Sequence, residues 1–154
     1  MAAICAAPLL ASAVPAPAAV ISTGIDADKT ADVTVRITDV RNEKGVIRAC
    51  MTANSSGFPK TCRGDARAVK LAVAARSGAV LTFRNVRPGT YAIALLHDEN
   101  DNGKADRALS MIPKEGFGFS RDAKVMMAPP KFADAAFDVA GKPVSQTIRL
   151  RYMF

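Results

Sequence analysis

The sequence predicts an all-β protein, a single antiparallel β-sandwich of about seven short strands preceded by an N-terminal signal peptide. Three observations predict it. Apolar and polar residues alternate with period two in run after run, as in Val33, Val35 and Ile37 against Thr34, Arg36 and Thr38. Gly, Pro, Asn and Asp interrupt those runs at the spacing of sandwich turns. The chain also carries no long amphipathic helical pattern, no heptads and no internal repeat. With 154 residues and 49% hydrophobic content it can fill one core, hence one domain. A small closed barrel is the alternative architecture with the same periodicity.

Residues 1 to 23 hold no charge and are rich in alanine. Small residues at Ala11-Ser12-Ala13 and Ala16-Pro17-Ala18 both suit signal-peptide cleavage, and the second follows a short apolar region. The expected division is a signal peptide over 1–18, a linker over 19–31 and the sandwich over 32–154. The opening lacks the Lys or Arg usual in such signals. Pro8, Pro15 and Pro17 argue against a membrane anchor, so no transmembrane segment is expected in the mature chain, and its location is periplasmic or secreted.

The strands follow in order. Asp32 to Val40 is half-buried, and Asn42-Glu43-Lys44-Gly45 then predicts a hairpin turn into Val46 to Ala53. Arg67 to Ala75 sets Val69, Leu71 and Val73 on the inner face, and after the Ser77-Gly78 turn Val80 to Val86 points Leu81 and Phe83 inward. Arg87-Pro88-Gly89 turns the chain into Thr90 to His97, whose Tyr91 to Leu96 is apolar on both faces, the mark of a central strand. Pro113, Gly116, Gly118, Pro129 and Pro130 exclude a long helix or a central strand from Leu109 to Lys131, leaving an ordered excursion. A helical turn is expected near Phe132 to Phe137 and a short strand over Ala136 to Val139. The last strand, Val144 to Met153, points Ile148, Leu150 and Tyr152 inward and Arg149 and Arg151 outward.

The formal net charge is +7, but the 21 Lys and Arg are scattered singly, as on the wet faces of strands. No basic cluster with interleaved aromatics supports nucleic-acid binding. Export removes Cys5 with the signal and leaves an even pair, Cys50 and Cys62, in an oxidising compartment. They are expected to form a disulfide, the alternative being two free thiols.

Chemistry concentrates in one loop after the central strand. Counting Asp98 as position one, Asn100, Asn102 and Asp106 fall at three, five and nine, Gly103 at six, and Lys104 supplies a carbonyl at seven. Alternate short oxygen-bearing side chains on a tight turn converge on a hard cation, and Ca2+ takes six to eight oxygens. Position twelve is Leu109, where a helix–loop–helix calcium site carries a bidentate glutamate, so the missing oxygens have to come from Glu99, Asp101, Glu115, main-chain carbonyls or water, with Glu115 the residue to watch. The competing reading is an ordinary polar turn, since Asp, Asn and Gly favour turns for backbone reasons alone. His97 is the only histidine and reads as a strand-end residue packed beside the loop. A nucleophile–base pair lacks a second base, and a hydrolase would have to use Glu99 and Glu115. Phe117 and Phe119, spaced by glycine, either line a ligand groove or anchor the loop to the core.

Three joined motifs carry a resemblance: Pro88-Gly89-x-Tyr91; His97-Asp98-Glu99-Asn100-x-Asn102-Gly103-x-x-Asp106; and Ile112-Pro113-x-Glu115-Gly116-x-Gly118-x-Ser120. Over about Asp32 to Phe154 the chain resembles domain of unknown function 2141, an uncharacterised family of exported bacterial proteins. The resemblance implies a transthyretin or prealbumin-like sandwich and an export signal, and it implies no activity. The loop is also similar to the calcium loops of bacterial adhesin B-type sandwich modules, with Asn102 in place of their third aspartate. The cysteine pair belongs to this sequence and not to the family pattern.

The reading that results is an exported, non-catalytic binding or accessory module holding one calcium ion through Asp98, Asn100, Asn102, Lys104, Asp106 and Glu115. A carbohydrate or anionic-polymer binder using Phe117 and Phe119 is the alternative, and a hydrolase the third. The partner class expected is a cell-envelope polymer or protein.

Overall fold

The computed structural model describes residues 29–62, 64–108, 112–126 and 128–153. The signal-peptide expectation lies outside the described residues, as does most of the linker. The expected linker end, Ala31, is already the buried first residue of a strand.

Two sheets face each other. The first has the order β10-β1-β4, built from β1 (Ala31–Thr38), β4 (Val80–Val86) and β10 (Val144–Arg149). The second has the order β3-β2-β5-β8, from β2 (Val46–Thr52), β3 (Val69–Ala74), β5 (Gly89–Asp98) and β8 (Gly116–Phe119), with β9 (Phe137–Val139) paired to the start of β5. A small ribbon joins β6 (Arg107–Ala108) to β7 (Ile112–Pro113). The helical turn α1 (Phe132–Ala135) precedes β9, and a 3-10 turn over Ser120–Asp122 follows β8.

The period-two pattern closes the main core. Val33, Val35 and Ile37 from β1, Leu81 and Phe83 from β4, Ile47 and Met51 from β2, Ile93 and Leu95 from β5 and Ile148 from β10 are all buried together. Each such aliphatic or aromatic side chain removed from water contributes about 1.5–3 kcal/mol. The strand apolar on both faces is central as expected: Ile93 enters this core, while Ala92 enters a second cluster with Phe58, Phe119, Ala123 and Ala135 on the opposite face of the sheet. Cys50 on β2 and Cys62 in the following loop are joined by a disulfide.

Four expectations are corrected. Asn42 to Gly45 is not a hairpin turn, because β1 and β2 belong to different sheets and the turn carries the chain across the sandwich. Gly45 has φ 65°, and an added Cβ would strike the Asp98 carbonyl, so glycine is required there for both reasons. The sandwich is not wholly antiparallel: β1 and β10 pair in parallel, from Val33 with Val144 to Thr38 with Arg149. The excursion contains a strand, since β8 pairs with the C-terminal half of β5 and its glycines let it lie against the end of β10 and Tyr152 beyond it. Val69 is exposed instead of inward, because it begins an edge strand beyond the cover of the opposite sheet.

Candidate functional site

The loop begins where β5 leaves the sheet. Asp98 is buried, and its carboxylate accepts hydrogen bonds from Arg48 Nε at 2.6 Å, from the Gly103 amide at 2.8 Å and from the Asn102 amide at 3.0 Å. Register explains the arginine: Val46 faces Asp98 across the β2–β5 ladder, so Arg48 is its diagonal neighbour on the same face. The other end of the guanidinium pairs with Asp101. Burial pushes the Asp98 carboxyl up, but the bonds from Arg48, Gly103 and Asn102 prevail and hold it below its ordinary value. The same contact with Asp98 raises Arg48.

The loop mouth is more exposed. Asn100 Nδ2 donates to Asp106 at 2.7 Å, and Asn102 Nδ2 donates to both Asp106 oxygens at 3.0 and 3.1 Å. The Oδ1 atoms accept backbone amides two residues on: Asn102 N at 3.2 Å for Asn100, and Lys104 N at 2.7 Å for Asn102. Such side-chain turns fix the loop without help from the sheet. Asp101, in a left-handed conformation with φ 55°, and Gly103, with φ 74°, supply the sharp bends.

Glu115 lies beneath the loop. It is buried, and its two oxygens accept the Glu99 amide at 3.2 Å and the Asp106 amide at 3.0 Å. Burial, with the nearby charges of Asp98 and Asp106, keeps its carboxyl above the ordinary range despite those amides. Glu99 is held separately by Arg41 at 2.6 Å and Asn42 at 3.3 Å. The two glutamates of the hydrolase reading are therefore neighbours, but each is engaged in holding the chain.

His97 is buried beside the loop, as expected. Its Nε2 is 2.8 Å from the Lys44 carbonyl, which can only accept, so Nε2 carries the proton and Nδ1 accepts from the Tyr152 hydroxyl at 2.8 Å. The Arg41 guanidinium lies over the Tyr152 ring, 4.5 Å from its centroid, and the Arg41 amide donates to the Tyr152 oxygen. Burial raises the Tyr152 hydroxyl above its usual range.

The structure thus gathers Asn100, Asn102 and Asp106 at one point, sets Asp98 against Arg48, and places Glu115 as a backbone clamp. Lys104 is exposed at the mouth. Phe119 is buried against Phe58, with ring centroids 6.0 Å apart, which is the anchoring arrangement, and Phe117 beside it is half-buried. Among the described residues, no group of three or more His, Cys, Asp or Glu side chains is arranged to hold a metal. Carboxamides and main-chain carbonyls, which make up most of the loop's oxygens, lie outside that set. Sequence reasoning missed Arg48 and Arg41. Their only signal was that Arg48 is the single charge of its strand and that Arg41 follows a strand already carrying Arg36, the same pattern that reads as a wet face.

Among the described residues, no helix is long and apolar enough to cross a membrane. No curated protein and no solved structure matches the chain. Residues 35–147 match the family model DUF2141, described as an uncharacterized protein conserved in bacteria, and the chain belongs to that family.

Proposed function

We propose that this chain is an exported, non-catalytic accessory module of the cell envelope whose loop 98–106 binds one calcium ion at its mouth. The observation that supports it is the convergence of Asn100, Asn102 and Asp106 within hydrogen-bond distance of one another on a turn already shaped by its own side chains. Both carboxamides now point Nδ2 at Asp106 while Oδ1 accepts a backbone amide; turning Oδ1 to a cation gives up the bonds from the Asn102 and Lys104 amides, a cost that ion binding has to offset. The Lys104 carbonyl and water complete the shell, with Asp98 shaping the turn from behind while Arg48 holds it. One half-buried carboxylate and a neighbouring guanidinium imply weak binding, with Kd on the order of 10⁻⁴–10⁻³ M, the range of extracellular calcium modules.

At about 10 mM calcium and a Kd of about 1 mM, binding adds about 1.4 kcal/mol to stability, which scanning calorimetry reads as a rise in Tm of several degrees. Asp106→Ala is expected to abolish the rise. A Tm unmoved by calcium at that concentration, or an equal rise in Asp106→Ala, overturns the reading.

A further inference from the structure

The four edges of the two sheets are not alike. Along β10 the Arg149 amide is taken by Asp122 Oδ1 at 3.3 Å, and the 3-10 turn is tied to the same strand through the Arg121 amide and Gln146. The outer edge of β8 is closed by a two-way backbone bridge between Phe117 and Arg151, at 3.0 and 2.8 Å. β4 is interrupted near its end by Asn85, left-handed with φ 53°. β3 has none of these devices: no proline, bulge, left-handed residue or covering segment among the described residues.

The direction of its backbone groups follows from one bond. The Ala75 amide donates to Gly45 across from β2, so the odd-numbered residues of β3 bond to β2, and Ala72 and Ala74 turn their amides and carbonyls away from the sheet. Their methyl side chains are exposed and shield nothing. Leu71 and Val73, on the inner face, are only partly buried and border the core. Such an edge is a template for an added strand.

Charge decides what kind. Arg67, 87% exposed although 3.9 Å from Asp65 Oδ1, stands before one end of the edge, and the exposed Arg76 stands just past the other. Asp65, whose side chain is largely buried, also accepts from Thr52 and the Arg67 amide and leaves most of the Arg67 guanidinium in solvent, while Asp101 is paired with Arg48. A second copy of a chain of net charge +7 would bring like charges together at both ends.

We infer that β3 is a docking edge for an extended acidic segment of a partner polypeptide, which adds a strand antiparallel or parallel to β3 through Ala72 and Ala74 and sets carboxylates against Arg67 and Arg76. Main-chain bonds supply the affinity, and the terminal charges select the partner.

The test titrates the intact protein with two synthetic hexapeptides, alternating Glu-Val and alternating Lys-Val, while recording backbone amide shifts. The acidic peptide is expected to bind saturably, with shifts centred on Ala72 and Ala74, and to weaken as salt is raised. Ala72→Pro removes an outward amide without breaking the β2 ladder and is expected to lower affinity at least about tenfold, as is Arg76→Glu. An acidic peptide N-methylated at every residue, with no amide donor on either edge, makes the same test without altering the protein and should fail to bind. Equal binding of both peptides, shifts centred elsewhere, or undiminished binding of the methylated peptide overturns the inference. So does concentration-dependent dimerisation that Ala72→Pro abolishes, since the edge then belongs to a second copy.

Discussion

Asp98 and Asp106 are both carboxylates of one loop, yet they sit in opposite situations. Asp98 is buried and accepts three hydrogen bonds, one from a guanidinium, while Asp106 is half-buried at the mouth between two carboxamides. Removing Asp98 strands two inward-facing amides and the Arg48 charge together. Asp98→Ala is therefore expected to cost about 3 kcal/mol in urea denaturation, and Asp106→Ala less than about 1 kcal/mol in the absence of calcium. Equal losses from the two would show that the burial of Asp98 is not what holds the loop. The spacing of oxygen-bearing residues was legible in the sequence because it is local; the guanidinium facing Asp98 was not, because it arrives from a strand fifty positions earlier in the chain.

β8 shows how an element escapes local reading. Gly116, Gly118 and the neighbouring Pro113 are poor strand formers, so Leu109 to Lys131 reads as an excursion. Glycine is needed there for closeness: a Cβ on Gly118 would stand 2.7 Å from the Arg149 carbonyl oxygen and 2.8 Å from Ile148 Cγ2, and one on Gly116 would strike the Tyr152 ring. Gly118→Ala pushes against backbone, so it is expected to destabilise by about 2–3 kcal/mol. Gly78→Ala is the comparison, since a Cβ there meets nothing within 4 Å and only its φ of 71° is strained, at about 1 kcal/mol. If thermal or urea unfolding ranks Gly78→Ala as the worse of the two, β8 does not lie where the ladder puts it. The hairpin reading at Asn42 to Gly45 failed for a related reason, because a glycine turn specifies a reversal and not which sheet receives the next strand.

The whole molecule carries opposing proton linkages. Glu115 holds its proton more tightly in the folded chain than its ordinary 4.5, so its contribution favours folding fully below that value and is lost as pH rises through the higher folded value. Asp98 and Asp65 are held below their ordinary 3.8, Asp65 chiefly by the Thr52 hydroxyl, so their contribution is present above 3.8 and lost as pH falls further. Tm is expected to rise slightly from pH 7 to about 5 and to fall steeply below about 4, with a shallower acid limb in Asp98→Asn. A Tm still climbing at pH 3 would contradict the assignment of Asp98.

What the chain determined by itself was everything set within a few residues: the period-two strands, the central position of an element apolar on both faces, the turns at glycine, the pairing of Cys50 with Cys62, and the polar geometry of loop 98–106. Backbone preference and side-chain chemistry act at that range. Tertiary structure alone decided that β10 runs parallel to β1, that β1 and β2 part into different sheets, that Arg48 closes on Asp98, and that β3 stands at the edge of its sheet. Those outcomes depend on which strands meet across the whole length of the chain, and alternation along one strand is the same whichever neighbour it finds.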